Sequence, residues 1–277
     1  MTPLFFTIVV AGVSYAAGLL GSLVGVGGGI IVVPLLTLFF GVDIHHAVAA
    51  SIISVIATSS GAASSYVRSG VNNLRLAMFM EIATAAGALS GAFLAVVISS
   101  RWLFLLFGAV LIYTAWSMYK RKDHDAAHFP DDPLADRLKL HGAFYDPFLK
   151  RDISYRVSRT KLGFAVSYIA GIISGLLGVG GGIIKVPVMS LFMGMPIKAC
   201  TATSNFMIGV TAAASASVYF VRGDVQPFIA APVAVGVLLG AKSGARVMGY
   251  LKNDLIRLIF VIVLVITSVQ MLLKGFK

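Results

Sequence analysis

Gly25-Val26-Gly27-Gly28-Gly29-Ile30-Ile31-Val32-Val33-Pro34 decides how this chain is read, because it returns as Gly178-Val179-Gly180-Gly181-Gly182-Ile183-Ile184-Lys185-Val186-Pro187. Both copies sit inside long apolar runs. Each glycine weakens a helix interior by roughly 1 kcal/mol relative to alanine, so a cluster of them needs compensation. We read each cluster as a deliberate helix break inside a membrane, and the pair as the place where the protein works.

Outward from the two copies, one offset aligns both halves of the chain without a gap. Adding 153 carries Gly18 onto Gly171, Gly25 onto Gly178, Pro34 onto Pro187, Gly41 onto Gly194 and Ser51 onto Ser204. The same shift carries Tyr66 onto Tyr219, Gly70 onto Gly223, Gly87 onto Gly240 and Gly91 onto Gly244. The pattern predicts a tandem duplication of one membrane unit, a signature of many secondary transporters. The expected division is residues 1–119 for the first repeat, 120–161 for a linker and 162–277 for the second.

Composition agrees with a bilayer setting. The 277 residues are 58% hydrophobic and 12% charged, with a mean hydropathy of +0.93, whereas soluble chains carry about 25% charged residues. Several apolar runs are long enough to span a membrane. The formal charge of +11 does not point to nucleic acid, because the basic residues lie in loops between apolar segments, as the positive-inside bias requires. Cys200 is the single cysteine, which excludes an internal disulfide and a cysteine metal cluster. The first residues lack the basic region of a secretory signal, so they are read as a retained membrane segment.

The run over residues 4–40 is too long for one crossing, and the glycines divide it. Further apolar runs cover residues 47–67, 76–98 and 102–119. The linker holds ten Lys or Arg and seven Asp. Its cations close to both membrane ends (Lys120, Arg121, Lys122; Arg156, Arg159, Lys161) predict that it lies in the cytoplasm. Asp123, His124 and His128 suggest a metal site less well than a solvated loop. If the short segment after each break crosses fully, each half has five segments, the halves are inverted and there are ten. If it only dips in, the halves are parallel and there are eight. Inversion puts Lys198, Lys252 and Arg257 on the linker side and Arg222, Lys274 and Lys277 opposite. We expect an all-α polytopic membrane protein of 8–10 segments, with inversion favoured because it generates alternating access.

The doubled Gly-x-Gly-Gly-Gly-Ile-Ile-x-x-Pro is followed in each half by a small-residue helix with hydroxyls, Ala50-Ser51 and Thr201-Ala202-Thr203-Ser204-Asn205. Together they resemble the sulfite exporter TauE/SafE family, over essentially the whole chain outside the linker. The resemblance implies a permease of the bacterial cytoplasmic membrane that moves sulfite, sulfonates or related small organic or sulfur-containing anions.

The candidate residues follow from what an anion needs. A helix beginning inside the membrane exposes its first N–H groups and its positive dipole end, and such a break is tolerated only when buried or lining a watery cavity. Gly27, Gly28, Gly29, Gly180, Gly181 and Gly182 would let the backbone meet an oxyanion directly. The plainer use of these glycines is tight helix packing. The spacing is not that of a phosphate or dinucleotide loop.

Lys185, whose repeat mate is Val32, stands at the start of the second half-helix and is the first candidate for pairing the anion. Lys242 is the second. Arg246, four residues on, is near enough to the segment end to snorkel. Glu81 is a candidate proton-coupling carboxylate or a partner for one of these cations. Ser51, Thr203, Ser204 and Asn205 offer neutral hydrogen bonds to an oxyanion or to a neighbouring helix. His45, His46 and Lys198 occupy equivalent turns near an interface. The expected partners are a small anionic substrate and the bilayer, with a proton as the candidate coupling ion, and no cofactor, metal or catalytic residue is expected. A passive anion channel is the alternative, and an intramembrane enzyme lacks its motifs in the sequence.

Overall fold

The computed structural model describes residues 3–95, 97–120 and 130–276, and helices dominate them. The first half comprises α1 (Pro3–Val24), α2 (Gly29–Pro34) with a π-helical continuation over Leu35–Phe39, α3 (Ile44–Ser69), α4 (Leu74–Leu94) and α5 (Ser100–Lys120). The linker contributes α6 (Pro133–Arg137), β1 (Gly142–Asp146) and β2 (Arg151–Tyr155). The second half comprises α7 (Thr160–Leu177), α8 (Gly182–Leu191), α9 (Ile197–Val221), α10 (Pro227–Met248) and α11 (Asn253–Phe276). Among the described residues, seven helices are long and apolar enough to cross a membrane, and three shorter apolar ones lie over Gly29–Phe39, Ser100–Tyr113 and Gly182–Leu191. Arg121, Lys122, Asp123, His124, His128 and Lys277 lie outside the described residues, as does the side chain of Arg257.

Glycine ends the helices at both clusters. Gly25 has φ 80° and its N–H returns to the Gly21 carbonyl at 2.9 Å; Gly178 has φ 70° and returns to Ser174 at 2.8 Å. A side chain would strain these left-handed caps. Polar side chains cap the starts of α3 and α4. Asp43 accepts from the His45 N–H at 2.8 Å to start α3, and Asn73 accepts from the Leu76 N–H at 3.0 Å to start α4.

Small residues set the packing. Gly236, Gly240 and Gly244 of α10 press against the backbone of Ala11, Tyr15 and Leu19 in α1. Gly87 and Gly91 of α4 press in the same way against Tyr168 and Ile172 in α7. Numbers rise together in each pair, so both pairs run parallel. Close backbone approach of this kind is how helices gain van der Waals contact in lipid, where no hydrophobic force holds them together. The pair α3 and α9 crosses antiparallel: the Asn73 N–H, just past the end of α3, donates to Thr203 Oγ1 near the start of α9 at 2.9 Å.

The bundle therefore has two ends. At one, the linker docks, with Lys198 bonded to Asp146 and Lys252 lying over the Phe148 ring. At the other, His46 Nδ1 lies 2.9 Å from the Asp224 carbonyl, Arg222 pairs with Asp224, and Lys274 donates to the Thr37 carbonyl at 2.5 Å.

The all-α expectation is corrected in the linker. Strands β1 and β2 pair antiparallel with Gly142 opposite Tyr155 and Asp146 opposite Arg151. Phe144 and Asp146 turn inward while Ala143 and Tyr145 face out, an alternation that suits a strand and not a helix. Burial pushes the Tyr155 hydroxyl up to about 12. Burial opposes ionisation of Asp132, but hydrogen bonds from Thr160, Leu134 and Ala135 prevail and hold its carboxyl below the ordinary range. The hydrogen bond from His141, against slight burial and aided by Arg156, does the same for Asp136.

Candidate functional site

The two glycine breaks touch each other in the middle of the bundle. Ser51 of α3 donates to the Gly178 carbonyl at 2.6 Å, and Ser204 of α9 donates to the Gly25 carbonyl at 2.6 Å. A methyl group on Gly29 would strike Ser51 Oγ and the Gly178 carbonyl, and one on Gly182 would strike the Gly25 carbonyl. Glycine is the residue that permits this approach. One turn before each break, Tyr66 donates to the Ser22 carbonyl at 3.0 Å and Tyr219 to the Gly175 carbonyl at 2.9 Å. Adding 153 to both residues converts the Tyr66 contact into the Tyr219 contact, and exchanging each residue for its mate, Ser51 for Ser204 and Gly178 for Gly25, converts one serine contact into the other.

Charge appears on one side of this centre. Lys185 lies in the first turn of α8, and its stem folds back so that Cε is 3.3 Å from where a Gly181 Cβ would stand. Its ammonium donates to Thr211 Oγ1 at 3.1 Å and lies 3.8 Å from Glu81 Oε2. The Thr211 hydroxyl donates to Glu81 Oε1 at 2.6 Å, with the Met207 carbonyl a second acceptor at 3.1 Å. Lys185 is 1% exposed and Glu81 5%, so no bulk water screens them. Each charge would cost about 2.5–3.5 kcal/mol to insert alone; paired, they neutralise one another.

The arrangement is incomplete on the acid. Glu81 Oε2 is buried without a hydrogen-bond partner, while Lys185 holds it only at ion-pair distance. The amides that open α8 precede its first backbone hydrogen bond, and they add positive potential beside the ammonium. A carboxylate thus occupies the position where a helix start, an ammonium and a hydroxyl converge.

The first break carries no such charge. Thr58, the mate of Thr211, accepts from the Gly28 N–H at 3.0 Å and donates to the Ser54 carbonyl at 2.8 Å. Val32 replaces Lys185, and Ala234 replaces Glu81. A cavity lined by Gly21, Val24, Gly27, Ile30 and Leu264 measures about 10 Å³, scarcely one water.

Of the residues singled out in the sequence, Gly29, Gly182, Ser51 and Ser204 meet at the crossing, Gly27 and Gly180 flank it against Val55 and Ile208, Gly28 faces Thr58 and Val237, Gly181 faces Ala170 and the Lys185 stem, and Lys185 and Glu81 meet beside it. Thr203 faces Asn73 instead. Asn205 donates to the Ser22 and Thr201 carbonyls at 2.8 and 3.1 Å, and its Oδ1 is buried without a partner. Lys242 and Arg246 are exposed on α10, apart from the Lys185 cluster. Sequence reading missed Thr211, although it lies seven residues beyond Ser204 on the same helix face and is the mate of Thr58. No group of three His, Cys, Asp or Glu placed to share a metal ion occurs among the described residues.

Comparison with known proteins adds an independent line. The family model described as sulfite exporter TauE/SafE matches residues 10–271. The chain is 28% identical to the probable membrane transporter protein YunE of Bacillus subtilis (strain 168), covering 98% of both chains. It is 27% identical to the probable membrane transporter protein MJ0441 of Methanocaldococcus jannaschii, covering 94% of this chain and 93% of the other. Against the probable membrane transporter protein YdhB of Bacillus subtilis (strain 168) the identity is 25%, covering 84% and 87%. No solved structure matches significantly.

Proposed function

The chain belongs to the sulfite exporter TauE/SafE family and is a multi-pass membrane transporter; from that premise we propose that it is a secondary carrier of small anions, sulfite, sulfonates or related organic anions. The carrying observation is Glu81, a carboxylate held against Lys185 and Thr211 at the opening of α8. It fills the place of the substrate in the closed state. An anion entering beside Lys185 displaces Glu81, and two buried anions facing one cation would be costly, so Glu81 takes up a proton as it leaves. Thr211 is not stranded by the exchange, because its hydroxyl turns to the Met207 carbonyl. Anion and proton then move together.

Alternating access rests on the halves being inverted repeats over residues 1–119 and 162–277. The antiparallel crossing of α3 and α9 and the parallel pairing of α1 with α10 and α4 with α7 support that reading. So does the distribution of charge, with Lys198 and Lys252 at the linker end and Arg222 and Lys274 at the other. The linker, over residues 120–161, then lies in the cytoplasm by its excess of Lys and Arg. The membrane is the cytoplasmic membrane. Gly180, Gly181 and Gly182 present α8 amides to the substrate. Gly27, Gly28, Gly29, Ser51, Ser204 and Asn205 shape the crossing, Thr203 ties α9 to Asn73, and Lys242, turned outward on α10, acts on the anion through its charge alone.

Proteoliposome uptake of sulfite, thiosulfate, a sulfonate and a carboxylate, with and without a pH gradient, tests the reading. Flux should respond to the gradient and fall at least about a hundredfold in Lys185→Ala, with a smaller loss in Lys242→Ala. Undiminished flux in both variants sinks the residue assignment, and single-channel currents above carrier turnover would select the passive channel.

A further inference from the structure

The linker hairpin bridges the two halves at one end of the bundle, and its anchor is a buried ion pair. Asp146, at the end of β1, accepts from Lys198 Nζ through both oxygens at 2.8 and 2.9 Å, and the same ammonium donates to the Gly249 carbonyl at 3.2 Å. Asp146 and Lys198 are 1% and 2% exposed. Asp146 also accepts from the Phe148 N–H at 2.9 Å, which fixes the turn, and the Phe148 ring lies under Lys198 and Lys252. Those contacts hold the second half. The first half is held by Asn73, whose Nδ2 donates to the Leu140 carbonyl at 2.6 Å and to the Tyr155 hydroxyl at 3.3 Å. The Ser158 N–H donates to the Met193 carbonyl, just beyond α8, at 3.2 Å.

The position of these ties gives them a consequence. Lys185 and Glu81 lie on helices that reach this end: α8 runs from the break to Leu191, and α4 starts at Leu74 with Glu81 two turns in. From Glu81 to Asn73 is about 12 Å along the helix. The start of α4 and the junction of α8 with α9 lie between the ion pair and this end of the bundle. The hairpin is bonded to both, through Asn73 on one side and Met193 and Lys198 on the other.

We infer that the linker hairpin is a clamp across the two halves, which keeps this end of the bundle closed and must release before it opens. This goes beyond the anion-carrier reading, and its test needs no substrate. Cys200, two residues past Lys198 and buried near Tyr155, is the only cysteine in the chain and reports on opening at that end.

The protein in lipid nanodiscs is treated with a maleimide, and modification of the Cys200 peptide is followed by mass spectrometry. Asp146→Asn keeps the shape of the side chain and removes its charge, and it should raise the labelling rate at least about tenfold. Pro147→Cys with Gly249→Cys staples the hairpin to the α10–α11 turn, where a Gly249 Cβ would stand 3.7 Å from Pro147 Cγ. Oxidising this pair in the Asp146→Asn background should return labelling to the wild-type rate, and reduction should release it again. Labelling unchanged by Asp146→Asn overturns the clamp. Labelling that stays fast in the stapled protein also overturns it, because loosening is then local to Cys200.

Discussion

Thr58 and Thr211 stand 153 residues apart, each beside a glycine break, and they face different chemistry. Thr58 spends its hydroxyl on backbone, accepting from the Gly28 N–H and donating to Ser54. Thr211 spends its own on charge, donating to Glu81 and accepting from Lys185. The backbone follows. Gly28 is right-handed at φ −66°, whereas its mate Gly181 is left-handed at φ 73°, a conformation that leaves Thr211 free to turn to the acid. One break is a scaffold joint and the other is a charged site built on the same joint.

The sharpest way to break this comparison is Lys185→Met. It leaves Glu81 buried with no cation, which should cost about 3–5 kcal/mol of stability in a detergent melting curve and abolish uptake. Adding Glu81→Met should restore most of the melting temperature without restoring uptake. If stability is not recovered, the two side chains do not form a unit.

Next in size is the threonine pair. Thr58→Val strands the Gly28 N–H and should cost about 1–3 kcal/mol while leaving substrate affinity alone. Thr211→Val should weaken affinity and alter the pH dependence of uptake. Equal effects of the two on affinity would dissolve the distinction between the breaks. Glu81→Gln retains an oxygen for the Thr211 hydroxyl and removes the charge; uptake should lose its response to a pH gradient.

A smaller effect tests what the breaks share. Ser51→Ala and Ser204→Ala each remove one hydrogen bond to the opposite break, and each should cost about 0.5–1.5 kcal/mol. Unequal losses in thermal unfolding would show that the crossing is less even-handed than its contacts.

The smallest effect expected at neutral pH concerns the hairpin end. The folded carboxyls of Asp132 and Asp136 sit below their ordinary range, so the docking they support is complete above the unfolded value and is lost as pH falls through the folded one. Cys200 labelling should be flat from pH 7 to pH 5, after correction for thiolate content, and rise only below about pH 4.

Much of this was legible in the chain itself. Glycines at one offset announce breaks because no other residue takes positive φ at so little cost, and the exchange of Val32 for Lys185 marks the asymmetric half. What stayed hidden was long-range. Nothing local joins Glu81 to Lys185, 104 positions apart, and Thr211 reads as one more packing hydroxyl until α4 and α8 are seen around it. Lys242 shows the converse: a charge inside an apolar run, yet the helix turns it outward. The linker concealed its strands because its short runs, Gly-Ala-Phe-Tyr-Asp and Arg-Asp-Ile-Ser-Tyr, carry too few apolar residues to reveal a period of two.

In the rocking carrier proposed above, the cross-ties from Ser51 to Gly178 and from Ser204 to Gly25 are the fulcrum. The two ties lie together at the crossing, so the motion leaves that point nearly still. The half-helix α8 is then a lever arm about 15 Å long, and a small rotation at its glycines becomes a displacement of several ångströms at its tip. Spin labels at the crossing would record an unchanged distance during transport, and labels at the two ends would record opposite changes.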